Sequence, residues 1–110
     1  MPSRVEQLTA ALDLVGDRWT LAVVDALLEG HHRFGELQQR LPGLAPNILT
    51  GRLRQLEEQG LAISRAYQER PPRFAYEPTE RARALRGVID ALVTWVAEEV
   101  APEDTEPVWL

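Results

Sequence analysis

Asn47, Thr50, Gly51 and Arg54 are the residues of this chain whose types and spacing suit recognition chemistry. On a helix turning about 100° per residue, Leu49, Leu53 and Leu56 share one face, Asn47, Gly51 and Arg54 lie opposite, and Thr50 lies at the side. Asparagine can hold adenine through two hydrogen bonds and arginine can hold guanine in the same way. Threonine reaches a base edge or a phosphate, and glycine lets the backbone come close to DNA. The chemistry implied is the reading of base edges in a major groove. Arg52 ranks behind these four, because it sits about 70° from the centre of the apolar face, at its edge. There it is either a phosphate contact or an intradomain partner for a carboxylate such as Glu36 or Glu57. Taken alone, such residues are what any solvent-facing helix carries; the segment that follows reverses that reading.

After Gly60 the chain runs through a β-leaning stretch, Leu61-Ala-Ile-Ser-Arg-Ala-Tyr-Gln-Glu69, then Arg70-Pro-Pro-Arg73, then the alternating Phe74-Ala-Tyr-Glu77. This is a hairpin with arginines at its tip. The two prolines fix φ and remove donors, so Arg70 and Arg73 project from a loop that loses little entropy on ordering. A hairpin directly after a recognition helix is a wing, and its arginines suit the DNA backbone or a narrow minor groove.

The elements that must position these residues follow from periodicity. Phe34, Leu37 and Leu41 recur at helical spacing, Pro42-Gly43 breaks the pattern, and Leu49, Leu53 and Leu56 restart it. This predicts a helix-turn-helix over about residues 34–59, with a wing over about 61–77. Upstream, Ser3 can cap a first helix over about 4–15 whose stripe is Val5, Leu8, Leu12 and Val15. A second helix, from about Arg18 to Glu29, is apolar nearly all round and is expected to be the most buried. His31-His32 turns into the helix-turn-helix and lacks ligand-spaced partners for a metal. Thr79 can cap one long last helix over about 80–100, carrying Leu92, Trp95, Val96 and Val100. These two terminal stripes exceed what one small domain hides, so they are read as a dimer surface. The fold class is mainly α with a small β-hairpin, a winged helix-turn-helix with N- and C-terminal dimerisation helices. One domain spans 1–101, and 102–110 is an acidic tail ending in the apolar tip Val108-Trp109-Leu110.

Composition bounds the function. There is no cysteine among the 110 residues, which removes disulfides, thiolate metal sites and thiol switches. No apolar run reaches membrane-spanning length and no signal-peptide pattern opens the chain, so a cytoplasmic location is expected, with no membrane partner. The net charge of −5 opposes nucleic-acid binding at first sight. Its distribution answers the objection, because residues 31–73 hold seven arginines against four carboxylates while both flanks are acidic. No cofactor is expected. No nucleophile stands beside a base, and no paired carboxylates or phosphate loop occur, so the chain is read as no enzyme.

Six words in order carry a family resemblance. They are Val15-Gly-Asp-Arg-Trp-Thr-Leu21, Arg33-Phe-Gly-Glu-Leu37, Leu41-Pro-Gly-Leu44, Asn47-Ile-Leu-Thr-Gly-Arg-Leu53, Leu56-Glu-Glu-Gln-Gly-Leu61 and Pro71-Pro-Arg-Phe-Ala-Tyr76. Over roughly residues 8 to 97 the chain resembles the HxlR-type winged helix-turn-helix regulators. The resemblance implies homodimers joined through the first and last helices that bind inverted-repeat operators in double-stranded DNA. Many members sense thiol-reactive compounds or oxidants through a cysteine ahead of the first helix, a mode this chain lacks. Where a glycine often follows the Thr-Glu pair, this chain has Arg81-Ala82 after Thr79-Glu80, which strengthens the helix start. The expected function is a sequence-specific transcriptional regulator; the alternative is a winged-helix protein interaction module without DNA binding. A cavity between Trp19, Trp95 and the first helix could hold a small apolar effector of unknown identity, but aromatics at helical spacing are core far more often than a ligand box.

Overall fold

The computed structural model describes residues 1–99. In chain order these form α1 (Arg4–Val15), α2 (Thr20–Leu28), α3 (Phe34–Arg40), α4 (Pro46–Glu58), β1 (Ala62–Glu69), β2 (Pro72–Pro78), α5 (Glu80–Arg83) and α6 (Arg86–Glu99). The core forms where α2, α3 and α4 meet. Val23, Val24 and Leu27 of α2, Leu37 of α3, and Leu49, Leu53 and Leu56 of α4 are all buried. A helix apolar on most sides can satisfy itself only at the centre, and α2 takes that place.

Between α3 and α4 the chain turns through Leu41-Pro42-Gly43-Leu44. Gly43 adopts φ +90°, a region that favours glycine. Leu41 and Leu44 are buried on either side of it, so the turn is pinned to the core rather than left to swing. Pro46 then occupies the first turn of α4, where its missing N–H costs nothing. The hairpin pairs antiparallel from Ala62 with Pro78 out to Glu69 with Pro72, and its register slips at Tyr67.

Several sequence expectations need correction. The last helix is not continuous, because Leu85 N–H donates to the Ala82 carbonyl, three residues back, at 2.9 Å, and this tight turn separates α5 from α6. Three-residue spacing keeps Ala82, Leu85 and Ile89 on the inward side, so the apolar period runs straight through the break. The second helix begins at Thr20 rather than Arg18, with Trp19 at its N-cap position, and the Asp17 carboxylate accepts from the Trp19 and Thr20 amides in the turn that leads into it. Nor is His31-His32 merely a turn. The His32 carbonyl accepts from Tyr76 N–H at 2.8 Å and Arg33 forms an isolated antiparallel bridge with Ala75, tying the segment before α3 to the wing. Thr79 caps α5 as expected, and its hydroxyl also donates to the Gly60 carbonyl at 2.7 Å, tying α5 to the end of α4.

The terminal helices stand apart from this body. α1 buries no residue, and Val5, Leu8 and Leu12 are 73%, 58% and 55% exposed. Val15 departs from that stripe, being half-buried with Leu14 beside an apolar cavity of about 150 Å³ that Leu61 and Leu85 also line. On α6, Ile89 is buried while Leu92, Val93, Trp95 and Val96 are exposed. The radius of gyration, 16.1 Å, exceeds the roughly 13 Å of a compact domain this long. Val100, residues 102–110 and the Val108-Trp109-Leu110 tip lie outside the described residues.

Candidate nucleic-acid interface

The recognition face is built by α4. With Leu49, Leu53 and Leu56 buried, the geometry of a helix turns Asn47, Thr50 and Arg54 outward, and all three are exposed. Gly51 is half-buried, and a methyl group added there would meet nothing within 4 Å in this chain. Thr50 Oγ1 donates to the Pro46 carbonyl at 3.0 Å, which commits its proton and leaves its lone pairs and methyl group to face a partner.

Arg52 is engaged elsewhere. Its Nε donates to Asp17 Oδ2 at 2.8 Å, and the two side chains keep 27% and 35% of their exposure. The choice between phosphate and carboxylate therefore falls to a carboxylate in this chain, but not to Glu36 or Glu57. Glu36 is used at the start of α3, accepting from the amides of Arg33 at 2.9 Å and His32 at 3.1 Å, which lowers its pKa. Asp17 is partly buried, which raises its pKa. Hydrogen bonds from the Thr20 hydroxyl, Arg52 and the Trp19 amide outweigh that burial and bring it from 3.8 to about 2. Asp17 thus ties the α1–α2 turn to the recognition helix, a contact across 35 positions that no local pattern announces.

Pairing sorts the arginines of the basic segment. Arg40 is held by Glu29 at 2.9 Å and Arg65 by Glu77 at 3.0 Å across the hairpin, and Arg52 is held by Asp17. Arg54, Arg70 and Arg73 have no carboxylate partner among the described residues. With Arg33, the arginines left free are those on the outer face of α4 and at the wing, where Arg70 and Arg73 are exposed. Arg33, which sequence reasoning passed over, lies 4.2 Å from the centre of the Tyr67 ring. Its position just before the helix-turn-helix was the available signal; the bridge to Ala75 that brings it to the wing was not visible. Trp19 packs against the core while Trp95 stands 55% exposed, so the two do not enclose the expected effector cavity. No helix of the described residues is long and apolar enough to cross a membrane.

Comparison with known proteins agrees with this geometry. The HxlR-like helix-turn-helix family profile matches residues 14–104. The uncharacterised HTH-type transcriptional regulator YtcD of Bacillus subtilis is 33% identical over 91 residues, which is 83% of this chain and 72% of the relative. The HTH-type transcriptional regulator YodB of the same organism is 28% identical over 99 residues, 90% of this chain and 88% of the relative. The structure of YodB in its reduced form superposes with a TM-score of 0.75 at 27% identity, covering 94% of this chain and 100% of that one. With a free, outward-facing recognition helix followed by an arginine-tipped wing, the chain belongs to the HxlR-like helix-turn-helix family of DNA-binding transcriptional regulators.

Proposed function

We propose that this chain acts as a homodimer that binds an inverted-repeat operator and controls transcription from it in the cytoplasm, as a regulator and not a catalyst. The observation that carries the assembly is the pair of uncovered apolar stripes. Val5, Leu8 and Leu12 of α1 and Leu92, Trp95 and Val96 of α6 are exposed in a chain whose remaining core is complete. Two chains packing these stripes about a two-fold axis remove them from water. Val93 extends the same surface, while Val15 contributes at its covered edge. One recognition helix and one wing bury too little for tight specific binding, so assembly and function are linked.

In each half-site, Asn47 and Arg54 read base edges, Gly51 allows close approach, and Thr50 adds a base or phosphate contact. Arg70 and Arg73 anchor the wing on the backbone or in the minor groove. A two-fold dimer sets the recognition helices about 34 Å apart, or a multiple of that, along the duplex. Selection of bound fragments from a random duplex library tests the reading, with an inverted repeat as the expected product. Recovery of no enriched sequence, with sedimentation showing a monomer at micromolar concentration, would defeat it. The salt dependence of binding separates this function from a protein-docking module, because displacement of counterions from phosphates makes DNA affinity fall steeply with salt.

A further inference from the structure

Between the start of α3 and the wing lies a cleft of about 350 Å³ lined by Arg33, Phe34, Tyr67, Arg73, Phe74 and Tyr76, together with Gly35 and Pro72. Among the described residues no carboxylate lines it. The two arginines come from different elements, Arg33 from the N-cap position of α3 and Arg73 from β2. Neither has a carboxylate partner among the described residues. Arg33 is held in place in two ways. Its backbone is bridged to Ala75, and its guanidinium sits over the Tyr67 ring, the residue at which the hairpin register slips.

Stacking occupies the flat face of a guanidinium and leaves its in-plane N–H donors free, the geometry that grips phosphate oxygens in pairs. The first helix of a helix-turn-helix crosses the DNA backbone while the second enters the groove. Glu36 takes the amides of His32 and Arg33 just ahead of α3, and the cations that the cleft offers an anion are the side chains of Arg33 and Arg73. We propose that this cleft grips a backbone phosphate of the bound duplex, with Arg33 on the helix-turn-helix side and Arg73 on the wing side. Tyr67 is the positioning residue that keeps Arg33 aimed. The assignment rests on the DNA-binding function above and adds a contact to it that is independent of base sequence.

The test is the salt dependence of duplex binding by the full chain, measured on the selected operator and on an unrelated duplex. Arg33→Ala and Arg33→Gln should each lower affinity for both duplexes and reduce the slope of log K against log salt by about 0.9 for each lost phosphate contact, or about 1.8 for a dimer that loses one in each half. Arg33→Lys should restore the slope. Tyr67→Leu should keep the parent slope, since the charge remains, while affinity falls about two- to fivefold from a less ordered arginine. Thermal melts identify any variant that fails to fold, and the Arg33→Gln and Arg33→Lys pair then carries the result. Parent-like slopes in folded Arg33→Ala and Arg33→Gln would overturn the cleft alone, as would losses confined to the operator. A parent chain that binds neither duplex would overturn the cleft together with the function it rests on.

Discussion

Asp17→Asn is the perturbation whose size the structure sets most directly. Asn keeps an oxygen for the Trp19 and Thr20 amides but removes the charge that pairs with Arg52 Nε at 2.8 Å. Lowering the carboxyl from 3.8 to about 2 corresponds to a ceiling of roughly 2.4 kcal/mol. Solvent reaches the pair, whose side chains keep 27% and 35% of their exposure, so screening brings the expected loss to about 1–1.5 kcal/mol at neutral pH. For a domain of this size that is a fall of roughly 4–10 °C in melting temperature. The sign with pH follows from the direction of the shift. Because the folded pKa is depressed, the stabilisation is complete above 3.8 and disappears as pH falls through about 2. About half should remain at pH 3, by the same linkage. Urea unfolding of parent and variant at pH 7 and pH 3 measures both points. Equal stability at pH 7, or a difference that does not shrink at pH 3, would refute the assignment. The same pair carries a functional prediction, that Arg52 held by Asp17 orients α4 rather than neutralising a phosphate. Arg52→Gln should therefore weaken operator binding without changing its salt slope.

Asn47→Ala and Arg54→Ala should each cost about 1–3 kcal/mol of operator affinity and relax preference at one base pair, which repeated fragment selection reads out. Arg70→Ala and Arg73→Ala should weaken binding to all duplexes alike and lower the salt slope by about one for each lost phosphate contact; parent slopes in both would remove the wing from the interface. Leu12→Glu or Trp95→Glu, at positions 55% exposed in the single chain, should leave the core intact and yield monomers in sedimentation with operator affinity lost. A dimer with full binding would place the subunit contact elsewhere. Leu53→Ala, at a fully packed position, should cost about 2–5 kcal/mol in urea unfolding through the cavity it leaves.

What the sequence determined by itself was whatever rests on near neighbours. The helical period of Leu49, Leu53 and Leu56 set which face of α4 is buried, and hence that Asn47, Thr50 and Arg54 are outward. Pro42-Gly43 placed the turn, and the β-leaning run with its two prolines placed the hairpin. The absence of cysteine settled which sensing chemistry these residues cannot perform. Tertiary structure alone decided the contacts between residues far apart in the chain. Arg52 found Asp17 across 35 positions because the α1–α2 turn packs beside the recognition helix, and the closer carboxylate of Glu36 was already taken by backbone amides. Arg33 joined the wing because an isolated bridge to Ala75, too short to show a period of two, brings it beside Tyr67. The break at Leu85 is not legible in the sequence because a single three-residue turn leaves the apolar face in place. Periodicity reports which way a side chain faces; which partner it meets there depends on how the elements pack, and that is a property of the whole fold.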